Sequence, residues 1–475
     1  MDTALDATFL DRARAIVGPA NVLTGPADTE PFLADWRGRY RGAARCVARP
    51  AATAEVAALV RLCAERRVPL VPQGGNTGVC GGAIPDASGS ALVLSLARMN
   101  RIRSLDRHND AITVDAGCTL AEVQRAAGEA DRLFPMSLGS EGTCQIGGNI
   151  ATNAGGTAVL RYGPMRDLVL GLEVVLPDGT LWEGLRALRK DNTGYALKHL
   201  FIGAEGTLGV ITGAALKLFP APRSAGTALL ALPAIEDALA VFERLRGALG
   251  DRVTTAEILS EGQLAAVLAH VPDTVRPMAA RAPWYLLVEV TDTLAGQDLA
   301  GMLEETLAAA MEAGHVADAV IARSGAQAAA LWKLRHSVSE ANRKSGVVIG
   351  HDTAVPISRI PDFVTRATAE VEALRPDARV VAVGHIGDGN VHLVVILPEA
   401  VRASGEPLEP IAHAVNARVH ELAIALGGTI SAEHGIGQSI RSQLAAFKGP
   451  AEMGLMRGIK GLFDPLGIMN PGKVL

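Results

Sequence analysis

A run of bare backbone placed directly after a strand does most to limit what this chain can fold into. Gln73-Gly74-Gly75-Asn76-Thr77-Gly78-Val79-Cys80-Gly81-Gly82 follows the apolar run Val68-Pro69-Leu70-Val71-Pro72. Glycines carry no Cβ, so successive N–H groups can turn toward one ligand and let it approach closely, as a pyrophosphate requires. The run lacks the Gly-Lys-Ser/Thr of a P-loop, and no G-x-G-x-x-G occurs anywhere, which weighs against P-loop chemistry and a standard Rossmann NAD site. Taken alone, such a cluster is also an ordinary set of turns.

Two further clusters point the same way. Gly139-Ser140-Glu141-Gly142-Thr143 leads into Ile146-Gly147-Gly148-Asn149-Ile150-Ala151-Thr152-Asn153, a mixture of bare backbone with small hydroxyl and amide groups that suits a long polar dinucleotide. Asp191-Asn192-Thr193-Gly194-Tyr195 then runs toward Gly203-Ala204-Glu205-Gly206-Thr207-Leu208-Gly209-Val210-Ile211. The chain holds 51 glycines in 475 residues, above the usual ~7%, and 11 of them fall within residues 74–82 and 139–156.

A formal charge of −5 and a pI of about 6.2 leave no global positive field for nucleic acid or anionic lipid. The run Trp36-Arg37-Gly38-Arg39-Tyr40-Arg41 is read as a structural loop, and no nucleic-acid partner is expected. Five cysteines, none in a C-x-x-C pair, fit reduced thiols and a cytoplasmic location. The acidic start Met1-Asp2-Thr3 is not expected to be a secretory signal. No apolar run reaches the ~18 residues of a membrane span.

Hydrophobic periodicity predicts a mixed α/β unit up to about residue 220, and Pro220-Ala221-Pro222 marks a boundary. Beyond it, helices at about 234–248, 296–314 and 325–344 alternate with strands at Tyr285–Val290, Val380–Val383 and His392–Ile396, an α+β pattern. The stretch from about 408 to 475 reads as mostly helical.

Asp388-Gly389 separates two apolar runs, the signature of a tight hairpin. A two-residue loop there sets His385 directly opposite His392 on one face, where two imidazoles can share a metal, and sets Val383 opposite Val394, so that a substrate beside the metal touches Val394. A satisfied cross-strand contact is the plainer alternative. In Ser431-Ala432-Glu433-His434-Gly435, extended backbone sends Glu433 toward the metal and His434 the other way. Two histidines and a carboxylate suit a divalent Lewis acid. Helical spacing puts Arg335 and Ser339 on one face, where a guanidinium fork and a hydroxyl match a carboxylate; a solvated arginine is the alternative.

In this order the blocks resemble the FAD-dependent oxidoreductases of the vanillyl-alcohol oxidase (PCMH) type, in the branch of D-2-hydroxyglutarate, D-lactate and glycolate dehydrogenases. The resemblance covers nearly the whole chain. It implies an α+β fold: a PCMH-type FAD-binding domain of two α/β subdomains (residues 1–222), an α+β substrate domain with an antiparallel sheet (223–420), and a C-terminal helical segment returning to the flavin (421–475). It implies non-covalent FAD, since no histidine lies in the glycine loops. Pro72, Gln73, Gly74, Gly75, Asn76, Thr77 and Gly78 would hold the pyrophosphate. Ser137, Gly139, Ser140 and Thr143, with Gly147, Gly148, Asn149, Thr152 and Asn153, would line the ADP and flavin. Glu205, Gly206, Ile211 and Asn470 would complete the pocket.

The same resemblance makes His385, His392 and Glu433 ligands of Zn2+ or a similar divalent metal, His434 the catalytic base, and Arg335, Ser339, Asn390 and Val394 the substrate contacts. Those relatives carry a Lys where this chain has Gly350, ahead of His351-Asp352, and many carry an Asn at Val394. The activity expected is oxidation of a D-2-hydroxy acid, first D-2-hydroxyglutarate and also D-malate, with D-lactate or glycolate as the alternative. An external acceptor such as an electron-transfer flavoprotein or quinone, a homodimer and no transmembrane segment are expected with it. From another class, a metal-dependent hydrolase would use the same His/His/Glu set with the glycine loops merely structural.

Overall fold

The computed structural model describes residues 3–475 of the chain. These fall into two compact units, one of residues up to Gly156 with Gly163–Ala221 and Glu433–Leu475, the other of Thr157–Tyr162 and Pro222–Ala432. The long helix Leu408–Ala425 and the turn after it thus belong to the second unit, and the C-terminal segment of the first begins at Glu433 rather than near 421.

The first unit contains two main sheets. Strands β1 (Val22–Leu23), β2 (Cys46–Ala48), β3 (Leu70–Gln73) and β4 (Leu92–Ser95) lie in the order β1-β2-β4-β3, with β2 and β3 parallel to β4. Parallel strands joined in sequence need a crossover, and the helix Thr53–Arg66 supplies it between β2 and β3, which flank β4, burying Val56, Leu59, Val60 and Cys63 at helical spacing. A second sheet orders β5 (Ile102–Asp106), β6 (Ala111–Asp115), β10 (Val210–Lys217), β8 (Val169–Val175) and β9 (Leu181–Gly184) as β5-β6-β10-β8-β9. A two-stranded ribbon joins β7 (Arg132–Leu133) to β11 (Phe219–Pro220).

The second unit is built on one eight-stranded sheet of β12 (Ser224–Leu232), β13 (Val253–Ser260), β14 (Trp284–Asp292), β15 (Asp318–Ile321), β16 (Val347–Gly350), β17 (Thr353–Ala354), β18 (Arg379–His385) and β19 (Asn390–Leu397). The order is β15-β12-β14-β13-β18-β19-β16, with β17 also on β19 and every pair antiparallel. Both faces are covered, so its strands read as apolar runs rather than as alternation. Leu230, Ile258, Leu286 and Val288 pack under the helices Ile235–Leu249, Leu299–Glu312, Ile360–Leu374 and Leu408–Ala425. Leu229, Leu259, Tyr285 and Val383 pack on the other face under Glu261–His270, Gly325–His336 and Val338–Lys344.

Two points depart from expectation. Strands β12 and β13 escape periodicity because they are buried on both faces. The helix expected over 325–344 is two, Gly325–His336 and Val338–Lys344, broken at Ser337. The last stretch is mostly helical as expected, at Leu408–Ala425 and Arg441–Phe463, the latter kinked at Gly449-Pro450.

Candidate active site

In the first unit the three glycine blocks converge on a single cleft of about 1000 Å3, partly open to solvent. Pro72 through Gly78 form one wall, Gly147, Gly148, Asn149 and Thr152 another, and Glu205, Gly206 and Ile211 a third. His434 also lines it, as does Gln145, which the sequence reading passed over. The walls touch through bare backbone: a Cβ at Gly75 would sit 2.0 Å from the Thr143 carbonyl oxygen, whereas a Cβ at Gly78 or Gly148 would meet open space. Glycine is thus required for packing at Gly75, while Gly78 and Gly148 present bare backbone to open space.

Other predicted residues support the walls without lining them. Ser137 donates to Glu141 (2.7 Å), Thr143 closes a turn on the Ser140 carbonyl, and Asn153, at φ +50°, accepts from the Arg166 N–H. Gly139 is exposed. The Trp36 loop braces the first glycine run: the Trp36 indole donates to the Thr77 carbonyl (3.0 Å) and the Asn76 amide to that of Ala34 (2.8 Å).

Glu205 lines the cleft, and its buried carboxylate accepts from the N–H groups of Ile436 (2.7 Å) and Gly437 (2.8 Å). Burial pushes its pKa up, against the pull of those two N–H groups and of Lys473. It therefore fixes the backbone two residues beyond His434. The Asn470 amide donates to the carbonyls of Gly82 and Glu205. Its Oδ1, and Oε1 of Gln145, are buried without a hydrogen-bond partner among the described residues.

In the second unit the hairpin register departs from expectation. His385 pairs with Asn390, Val383 with His392 and Val381 with Val394, so Ile386 to Gly389 form a four-residue loop. Ile386 is fully buried in the core, and a Cβ at Gly389, φ +91°, would collide with the Val355 carbonyl, which together draw the loop inward. The shift is by two residues, so His385 and His392 keep one face but stand diagonally, ring centroids 5.7 Å apart. Val394 lies next along that face, in a small apolar group with Val381, Ile396 and Val348, and its partner on β16 is Gly350.

Two carboxylates that the sequence reading missed organise these histidines. Glu257, opposite His385 on β13, is fully buried; it accepts from His385 Nδ1 and from Arg335 Nε, each at 2.5 Å. Burial alone would raise its pKa, but the Arg335 guanidinium and His385 outweigh this and hold it below the usual carboxylate range. Asp352 lies 3.7 Å from His392 Nδ1 and accepts from the Asn390 amide (3.1 Å) and the Ala432 N–H (3.0 Å). Asn390 is thereby a structural brace. Only strand register could have found Glu257, since 128 residues separate it from His385.

Ser339 is exposed on the helix after the break, so it shares no helical face with Arg335. The Glu433-His434 step is a bend rather than extended chain, and the two side chains approach to 3.9 Å instead of pointing apart. The turn at Gly435, φ +83°, accounts for it.

Comparison with known proteins adds what geometry alone does not. Residues 44–184 match an FAD binding domain, and residues 221–474 match the C-terminal domain of FAD linked oxidases. The chain belongs to the FAD-linked oxidases. Among these it is 38% identical to the mitochondrial D-2-hydroxyglutarate dehydrogenase of Rattus norvegicus, over 96% of this chain and 83% of that one. It is 39% identical to the mitochondrial enzyme of Bos taurus (97% and 82%) and 39% to the D-2-hydroxyglutarate dehydrogenase of Xanthomonas citri pv. viticola (95% and 93%). Its fold is that of p-cresol methylhydroxylase (TM-score 0.76, 15% identity, 99% of this chain and 97% of that one) and of alkyldihydroxyacetonephosphate synthase (0.74, 16%, 98% and 84%). Like its relatives, this FAD-linked oxidase is an FAD-dependent oxidoreductase.

The cleft fits that cofactor on its own chemistry. Bare walls at Gly78 and Gly148 leave room for a phosphate chain, and the orphaned Oε1 of Gln145, which lines the cleft as Asn470 does not, calls for an N–H or O–H donor such as flavin and ribityl groups provide. In the second unit His392 and Asp352 bring a nitrogen and a carboxylate oxygen within 4.8 Å of each other, donors that fit a divalent metal, while His385 stands beside His392 with its Nδ1 on Glu257. Among the described residues no helix is long and apolar enough to cross a membrane.

Proposed function

We propose that this FAD-linked oxidase oxidises a D-2-hydroxy acid, D-2-hydroxyglutarate first, to the 2-keto acid, with zinc or a similar divalent cation held by His385, His392 and Glu433. The observation that carries the reading is the Arg335–Glu257–His385 chain, which brings a carboxylate-binding fork and a metal-type imidazole to one buried anchor; the relatives' shared activity supports it. Bound flavin supplies the two-electron acceptor, and a bound cation supplies the charge that acidifies an alcohol.

The chain's own residues do the rest. Arg335, held through Nε, offers its two outer nitrogens to the substrate carboxylate as a fork. His434, on the wall of the FAD cleft, takes the hydroxyl proton as general base. Glu205 and its two backbone donors keep the His434 segment from drifting.

A second reading, D-lactate or glycolate as substrate, draws on the Gly350–Val394 pair, which offers no polar side chain to a second carboxylate. A dye-linked assay across D-2-hydroxyglutarate, D-malate, D-lactate and glycolate decides between them. The first reading expects the highest kcat/KM with D-2-hydroxyglutarate, loss on chelation and recovery with zinc. Absence of turnover with every D-2-hydroxy acid would end both.

A further inference from the structure

We propose that Glu257 is a positioning residue that couples the substrate anchor to the metal ligand. Glu257 is fully buried on the helix-covered face of β13, on the same side as Leu259, in surroundings that otherwise favour an apolar side chain. Each of its oxygens is committed: Oε1 accepts from His385 Nδ1, and Oε2 from Arg335 Nε. A carboxylate only accepts, so His385 carries its proton on Nδ1 and its lone pair on Nε2, the tautomer that can ligate a cation from that side. Engaging Arg335 at Nε also fixes the plane of the guanidinium and leaves its two outer nitrogens uncommitted to the anchor. The strand register Glu257 to His385 makes the imidazole half of this arrangement rigid, and the helix Gly325–His336 delivers the arginine half.

The inference rests on the proposed roles of His385 and Arg335, and it separates from them in a test. Glutamine has one accepting and one donating end, so Glu257→Gln cannot accept from both; if it accepts from Arg335, its amide N–H faces His385 Nδ1 and drives the proton onto Nε2. Wild-type and Glu257→Gln full-length proteins are stripped of metal and titrated with Zn2+ against a chromophoric chelator, with flavin content measured as the check on folding. The variant is expected to keep its flavin and bind zinc about 10- to 100-fold more weakly, as loss of a carboxylate behind a ligating histidine does. Zinc affinity within about twofold of wild type would overturn the proposal. If the variant loses its flavin, or if wild type binds no zinc and the metal reading itself fails, nitrogen NMR of His385 in the wild-type protein still decides. A proton on Nδ1 supports the positioning role, and a proton on Nε2 overturns it.

Discussion

Arg335 and Glu257 form the kind of pair in which chemistry and charge cannot be exchanged separately. Arg335→Lys keeps the charge but loses the fork and its Nε bond to Glu257. A fall of about 10- to 100-fold in kcat/KM is expected, matching the ~1.5–3 kcal/mol of a charge-assisted hydrogen bond, with most of it in KM. An unchanged KM would remove Arg335 from the substrate. Two glycines make a complementary pair at the cleft. Gly75→Ala forces a Cβ onto the Thr143 carbonyl and should cost at least about 1–3 kcal/mol of stability, read by urea unfolding. Gly148→Ala enters open space, so it should leave the fold intact and weaken FAD binding by about tenfold or more, ~1.4 kcal/mol. Equal effects of the two on unfolding would contradict the distinction between packing and cradle.

At the scale of elements, the β18–β19 hairpin shows what the sequence exposes and what it hides. Asp388-Gly389 announces a hairpin and a shared face for the two histidines, both of which hold. The loop length does not follow, because it depends on Ile386 entering a core assembled from distant strands. The glycine blocks were legible as the walls of one cleft because their requirement is local backbone. Glu257 was not, because its meaning comes from β13 lying beside β18. The break at Ser337 likewise reflects where two short helices dock, which helical spacing alone cannot report.

Just after β16, His351 gives the second unit a pH signature. Burial, aided by neighbouring His420 and opposed by the Leu393 carbonyl, pushes its pKa down to about 4. The unfolded chain protonates this histidine near pH 6.5 while the folded one resists until near 4, so its contribution is complete above about pH 6.5 and is lost as pH falls toward 4. Stability should drop by about 2 kcal/mol from this residue between pH 7 and pH 5. In His351→Gln the pH dependence of unfolding should shrink by that amount, and an unchanged dependence would contradict the assignment.

Over the whole molecule, two compact units divide the chemistry. The first carries the glycine-lined cleft with His434 on its wall, and the second carries Arg335, Glu257 and the histidine pair. The chain enters the Glu433-His434 step from a segment tied to Asp352 at Ala432, and leaves it through one tied to Glu205 at Ile436 and Gly437. The residue given the proton-transfer role thus lies in sequence between two carboxylate anchors.

On the proposed function, a D-2-hydroxy acid delivers its electrons to flavin with His434 taking the proton. Mixing the anaerobic, flavin-loaded protein with D-2-hydroxyglutarate and following the flavin absorbance tests it most directly. The account predicts rapid bleaching in wild type, and bleaching slowed by about 10²- to 10⁴-fold in His434→Ala at unchanged flavin content. A flavin that stays oxidised with every D-2-hydroxy acid, or that bleaches as fast without His434, would contradict it.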